Sequence, residues 1–396
     1  MAAGNVKGRK DGFQTGNVTL ISVAHFLHDA YSTYLPPLLP LLIEKFGISL
    51  FLSGLLGVIQ RIPNLLNPFI GILAERVKVR YFVIFAPAVT TVAMSLIGVA
   101  PLYIVVAILL FVTGLSSALF HVPAPVMISK VSGSRTGKGM SFFMFGGEFA
   151  SAVGPLILVA VVEIWGLAGT LRLIPFGLAT SAVLWWRLRK ISIQEEVHSS
   201  AARIDYMGIF RQFRPVFFNL GGIILFNGAL RATLILFLPV YLISEGENLW
   251  FAGISLAVLQ VSGAAGTFIA GSISDRIGRR TTLLILTIAA PLFMLLFLYT
   301  ERALRILSIV LLGVALMSPQ SVMLASILDL DTKHKAFVNS IYMTMSFFVS
   351  AVMAMVAGAI ADEAGLAKTF ALFSVLSLAA IFFARRVPVK KEQLRA

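Results

Sequence analysis

Long apolar runs, cut by short polar breaks, organise this chain of 396 residues. Each run approaches about 20 residues, the length at which a helix crosses the hydrocarbon core of a bilayer. Twelve are read, at 17–43, 51–74, 80–100, 102–128, 139–163, 167–187, 215–242, 250–273, 280–299, 302–327, 335–360 and 365–386. The pattern predicts an all-α membrane protein with twelve transmembrane helices. It also repeats. Gly71-Ile-Leu-Ala-Glu75-Arg76-Val-Lys78-Val-Arg80 returns 200 residues later as Gly271-Ser-Ile-Ser-Asp275-Arg276-Ile-Gly278-Arg279-Arg280. The same offset carries Phe26 onto Phe226 and Gln60 onto Gln260. The duplicated unit is therefore a six-helix half, expected at 17–187 and again at 215–386, with a polar linker over 188–214 and polar tails at 1–16 and 387–396. Repeats of this size build carriers whose halves rock about a central site, so the expectation is transport.

Composition agrees with lipid as the solvent. Hydrophobic residues are 58% of the chain and charged ones 13%, with mean hydropathy +0.92; soluble domains carry about 25% charge. The net charge of +14 suggests a nucleic-acid partner until its distribution is examined. With the N-terminus in the cytoplasm, 25 of the 32 Lys and Arg fall on the cytoplasmic side. That asymmetry is the positive-inside pattern, which predicts a multi-pass protein of the inner (plasma) membrane with both termini cytoplasmic. The outer loops instead carry Glu44, Glu245, Glu247, Asp362 and Glu363. The expected partners are the lipid bilayer, protons and a small-molecule substrate, with no nucleic acid, and the chain is expected to act as a monomer.

Cysteine is absent, which excludes disulfides, thiolate catalysis and Cys-based metal sites. Gly133-Ser-Arg-Thr-Gly137-Lys138-Gly139 lacks the spacer of a phosphate-binding loop. No His, Asp or Glu spacing names a metal site, no nucleophile–base pair is visible, and no cofactor is expected. The first apolar run is too long for a signal-peptide core and is expected to be retained.

The repeated Gly-x-x-x-[Asp/Glu]-Arg signature, between spans 2 and 3 and again between 8 and 9, resembles that of the major facilitator superfamily. The second copy matches throughout; in the first, Glu75 replaces Asp, Lys78 the Gly and Val79 the first Arg of the closing pair. The resemblance implies the major facilitator fold, two six-helix bundles, and a gating role for Gly71, Glu75, Arg76, Arg80, Gly271, Asp275, Arg276, Gly278, Arg279 and Arg280. The carboxylate would accept hydrogen bonds at a neighbouring helix N-terminus, and the arginines would close the cytoplasmic surface through breakable ion pairs. A narrower resemblance covers residues 20–160. Ala24-His25-Phe26-Leu27-His28-Asp29, the stretch Gly114 to Pro123 with Phe120-His121, and Gly146-Gly147-Glu148 followed by Gly154-Pro155 are similar to the fosmidomycin-resistance group of exporters. This implies a drug or small-molecule exporter driven by proton entry.

An ionisable side chain near the bilayer centre costs roughly 2.5–3.5 kcal/mol on insertion scales, and normally faces a cavity or a partner. Asp29 lies mid-span with His25 one turn earlier on the same face. Its carboxylate is either the proton site or a fixed partner for Arg61 or Arg231. Glu148 is the rival proton site, or a helix-packing hydrogen-bond acceptor beside Gly146-Gly147. His25 and His121 can relay protons, since imidazole titrates near neutrality, or act as satisfied hydrogen-bonding groups; His28 is read as the latter. Arg61 and Arg231 suit an anionic substrate group by bidentate contacts, or pair with Asp29 and Glu148. Tyr31, Asn227 and Gln320 are candidate substrate contacts, while Gln60 and Gln260 either donate to substrate or tie the two halves together. Pro36, Pro37 and Pro40 should bend the first span, and Pro123, Pro155, Pro239 and Pro319 others. The expected activity is secondary active transport by alternating access, as proton-coupled export of a small amphiphilic or anionic compound. Proton-linked uptake of an organic acid or metabolite, or a non-transporting receptor on the same scaffold, are the alternatives.

Overall fold

The computed structural model describes residues 12–67, 69–70, 80–189, 206–330, 332 and 335–387. Its helices in the first half are α1 (Thr15–Ser32), α2 (Leu35–Phe46), α3 (Leu50–Arg61), α4 (Arg80–Leu96), α5 (Tyr103–His121), α6 (Ala124–Ser132), α7 (Thr136–Trp165) and α8 (Ile174–Leu188). The second half contains α9 (Tyr206–Ser244), α10 (Leu249–Ile277), α11 (Arg279–Tyr299), α12 (Arg302–Leu328), α13 (Lys335–Ala364), α14 (Leu366–Ser377) and α15 (Ala380–Ala384). Ten helical segments among the described residues are long and apolar enough to cross a membrane, and Leu50–Leu66 is a shorter apolar one. With α1 and α2, which share the first apolar run, they fill twelve places in two bundles.

Local sequence explains where the spans bend. Pro36 and Pro37 occupy the first turn of α2, where a missing N–H costs nothing, so the first run splits after Ser32. The side-chain amide of Gln60 donates to the Ser32 carbonyl at 2.9 Å, satisfying an acceptor at that break, so it ties α3 to α1 within the first half and not one half to the other. Pro123 likewise separates α5 from α6. Pro155, Pro239 and Pro319 instead lie inside the uninterrupted α7, α9 and α12; neighbouring helices and local adjustment can absorb a freed carbonyl in a membrane. The segment read as a linker is helical from Tyr206, because Arg211, Gln212 and Arg214 are good helix formers that extend α9 beyond its apolar part. Ser49 and Asn248 cap α3 and α10 by accepting from Leu52 and Phe251. Gly47 closes α2 at φ 60°, a left-handed turn that favours glycine.

The exterior is apolar, as a lipid-facing surface requires: Phe268, Tyr299 and Trp186 are largely exposed. Among the described residues, close backbone contact between the halves is found at the end away from Gly278. There the α3 backbone meets α13, with a β-carbon on Gly54 falling 2.7 Å from the Ala354 carbonyl oxygen. Gly253 of α10 packs on Val159 of α7, and Gly57 of α3 on Leu236 of α9. One charged group completes this seal: the Asp362 carboxylate accepts from the N–H groups of Leu50 at 2.6 Å and Phe51 at 2.9 Å. It thus caps α3 from the opposite half, where the helix dipole favours negative charge. Asp362→Ala should weaken the seal by about 1 kcal/mol, a roughly fivefold shift towards separation at that end. Spin labels placed across the seal measure it as a longer-distance population; an unchanged distribution would show that apolar packing alone holds the end closed.

Candidate substrate and proton site

Small residues on α7 set the architecture of the site. A β-carbon on Gly146 would fall 2.6 Å from the Ser22 carbonyl oxygen, and one on Gly154 2.5 Å from that of Ala30. On Gly147 it would meet His25 Cε1 at 2.6 Å and an Asp29 oxygen at 3.1 Å. The glycines of the fifth span therefore let α1 and α7 approach closely enough to press Asp29 and its neighbours against a bare backbone.

Asp29 sits between two imidazoles. His25 Nε2 lies 3.0 Å from one carboxylate oxygen and His121 Nε2 3.3 Å from the other. The two Nε2 atoms are 3.3 Å apart. The other ring nitrogens fix the tautomers. His25 Nδ1 donates to the Phe143 carbonyl at 2.7 Å, and His121 Nδ1 to the Ser117 carbonyl at 2.9 Å. Each neutral ring thus turns a lone pair towards the carboxylate. Three acceptors converge, and such a cluster holds together only with a proton, or another cation, among them. His25 is stacked on Phe143 with ring centroids 3.9 Å apart and is almost fully buried, so it is held in place. His28 is buried behind this cluster, its ring edge-on to His121 with centroids 5.5 Å apart, stacked on Phe120 and bonded to Thr90.

Arg61 and Arg231 come from opposite halves and line one cavity of about 460 Å³ with Glu148, Gln60, Gln260 and Gln320. Among the described residues neither arginine has a carboxylate within ion-pair distance, so their pairing with Asp29 or Glu148 is not seen in this conformation. Glu148 is exposed on the cavity wall, adjoining Gly147 and hence the Asp29 cluster. Asn227 is buried beside Arg231 in a small side pocket that also touches Gln320 and Tyr342. Tyr31 does not line the cavity: it is buried, and its hydroxyl donates to the Leu173 carbonyl at 2.9 Å, so packing rather than substrate contact accounts for it. Arg172 stacks over Trp165 at 4.8 Å.

Of the gating signature, Gly71, Glu75 and Arg76 lie outside the described residues. Arg80 begins α4 and stacks over Tyr81. In the second copy, Gly278 takes φ 91° between α10 and α11, the turn its side-chain freedom allows. Asp275 pairs with Arg279 at 2.7 Å instead of capping a helix, and Arg279 also reaches Asp329 at 3.1 Å and the Ser274 hydroxyl. Arg280 donates to the Val387 carbonyl at 3.1 Å, while Gly271 has open space and Arg276 is exposed. These bonds join elements of the second half to one another. They do not bridge the halves in this conformation, where the seal lies at the opposite end.

The sequence could not show the closure of the Asp29 cluster. His25 and Asp29 are one turn apart, but His121 arrives from α5, and the Phe143 and Ser117 carbonyls that orient the rings carry no side-chain signal. No spacing rule finds them. His25, Asp29 and His121 nevertheless form a set whose candidate ligand atoms all lie within 4.8 Å of one another.

A two-bundle helical membrane protein with a polar cavity between its halves is a carrier by architecture. The sequence profile of the Major Facilitator Superfamily matches residues 21–330 and 263–396, and the chain belongs to that family. It is 23% identical to the Fosmidomycin resistance protein of Escherichia coli (strain K12), over 92% of this chain and 90% of that one. To the uncharacterized MFS-type transporter YfnC of Bacillus subtilis (strain 168) it is 22% identical, over 91% and 90%. Its fold is shared with an inward-facing, occupied bacterial homolog of the human lysosomal transporter Spinster: TM-score 0.81, 16% identity, coverage 95% of this chain and 97% of that one. The nucleoside transporter NupG follows with TM-score 0.76, 14% identity and coverage of 94% and 100%.

Proposed function

We propose that this chain exports a small anionic or amphiphilic compound by alternating access, driven by proton entry, from a cytoplasmic membrane in which both termini face the cytoplasm. The observation that carries the reading is the pair Arg61 and Arg231. They come from the two halves, face one cavity and lack a carboxylate partner among the described residues. Two guanidinium groups held in a partly dry cavity favour a ligand that brings its own negative charge. Their placement also couples binding to motion, since an anion touching both arginines draws the halves together. Gln60, Gln260 and Gln320 supply neutral donors around the same cavity, and Glu148 and Asp29 take the proton. The seal at the end away from Gly278 supports loading from the motif side, which the positive-inside pattern assigns to the cytoplasm. The resistance named for the Escherichia coli relative supports the outward direction.

Arg61→Gln and Arg231→Gln test this. Each loses charge-assisted hydrogen bonds worth about 1.5–3 kcal/mol, so affinity for an anionic ligand should fall roughly tenfold to a hundredfold. The measurement is titration of purified protein with matched anionic and neutral compounds. Equal preference for the neutral member in the parent protein would overturn the anion assignment. Growth on a supplied anion, with no resistance conferred, would reverse the direction.

A further inference from the structure

The Asp29 cluster has the geometry of a metal site as well as that of a proton site. We propose that His25 Nε2, His121 Nε2 and one oxygen of Asp29 bind a single divalent transition-metal ion, with zinc the best fit. This goes beyond the transport reading, and binding itself does not depend on the substrate or its direction.

The first argument is orientation. Both rings donate Nδ1–H to backbone carbonyls, Phe143 at 2.7 Å and Ser117 at 2.9 Å, leaving both Nε2 lone pairs directed inwards. An outer carbonyl of this kind fixes the tautomer and increases the basicity of a metal-ligating histidine. The second is spacing. Ligands about 2.0–2.1 Å from a tetrahedral zinc stand roughly 3.3 Å from each other. His25 Nε2 lies 3.0 Å from one Asp29 oxygen, His121 Nε2 3.3 Å from the other, and the two nitrogens are 3.3 Å apart. A modest turn of the carboxylate brings one oxygen between the two nitrogens, since the candidate ligand atoms already lie within 4.8 Å of one another. The third is rigidity: His25 is clamped by Phe143, and Gly147 closes over its ring. Three protein ligands leave a fourth position, and the partial exposure of the His121 side chain, 37%, provides the entry side. Two imidazoles and one carboxylate suit zinc, nickel or copper(II) and discriminate against magnesium and calcium, which prefer oxygen ligands.

A bound ion would pin α1 to α5 and occupy the atoms to which the transport reading assigns a proton, so a metal-loaded carrier should stall. The test uses full-length protein purified without a polyhistidine tag. Zinc is titrated against a chromophoric chelator, and cobalt(II) serves as a spectroscopic stand-in. One zinc per chain and the intense visible bands of tetrahedral cobalt are expected. Asp29→Asn and His121→Gln should weaken binding at least as much as the roughly 10–100-fold typical of losing an outer-shell partner. His198→Ala combined with His334→Ala should leave it unchanged. Thermal unfolding without metal verifies that each variant is folded; His25→Gln provides a further ligand variant if one of the others is not. Absence of stoichiometric binding, or affinity equal in folded ligand variants and parent, would overturn the site. Tight binding that leaves proteoliposome transport at full speed would uphold the metal site and remove Asp29 from proton coupling.

Discussion

Asp29→Asn is expected to abolish proton-driven transport while leaving the protein folded. Asparagine keeps the shape of the side chain, and its amide can still donate to one of the two inward-facing imidazole nitrogens, at 3.0 and 3.3 Å in the parent structure. What it lacks is the negative charge that holds a proton among three acceptors. A charge in the bilayer interior carries a cost of roughly 2.5–3.5 kcal/mol, so its removal should leave thermal stability equal or higher. Activity and stability therefore part company, which a merely structural role would not produce. Flux into proteoliposomes under an imposed pH gradient should fall by about 100-fold or more, the scale of losing a charge-assisted interaction of about 3 kcal/mol. Glu148→Gln is the comparator, because Glu148 lies on the cavity side of the same wall. Full coupled transport by both variants would remove these carboxylates from the mechanism.

Gly358→Leu should be as damaging for a different reason. A β-carbon at Gly358 would lie 2.2 Å from the Leu50 carbonyl oxygen, 2.7 Å from its carbonyl carbon and 3.0 Å from Phe51 Cα. All three are backbone atoms, so the clash is relieved only if α3 and α13 separate. Overpacking of this kind costs about 1–3 kcal/mol even where side chains can yield. The seal between the halves should fail to form, and transport should stop with it. Because the chain contains no cysteine, Ala361→Cys, buried beside Asp362 at the sealed end, supplies a unique reporter. Its reaction with a water-soluble maleimide should rise about tenfold or more in the Gly358→Leu background, matching a shift of at least 1.4 kcal/mol. Unchanged labelling together with normal flux would show that the halves do not close here during the cycle.

The spans and their proline-induced breaks at Pro36 and Pro123 were legible because each depends on the composition of one segment. Prolines 155, 239 and 319 were not so legible, since whether a helix survives them depends on neighbours. His25 and Asp29 could be paired from their i,i+4 spacing, and Asp275 with Arg279 in the same way. His121, from another helix, and Asp329, just past the end of α12, complete those two clusters and left no trace in spacing. Tyr31 was misread for a related reason: its face of α1 is set by packing on Leu173, a contact between distant parts of the chain. Spacing could not choose between structural pairing and substrate contact for Arg61 and Arg231, because the cavity they share in this conformation, with no carboxylate at pairing distance among the described residues, is built from both halves.

The 200-residue offset that relates the two halves matches His25 with Leu225, Asp29 with Ala229 and His121 with Ser321. A near-symmetric scaffold has therefore kept its titratable cluster in one copy alone, while the other copy contributes Arg231 where the first has Tyr31. Gene duplication left the ancestral halves free to divide labour, and a chimera made of two first halves would carry two ionisable centres and lose the arginine that the second half brings to the shared chamber.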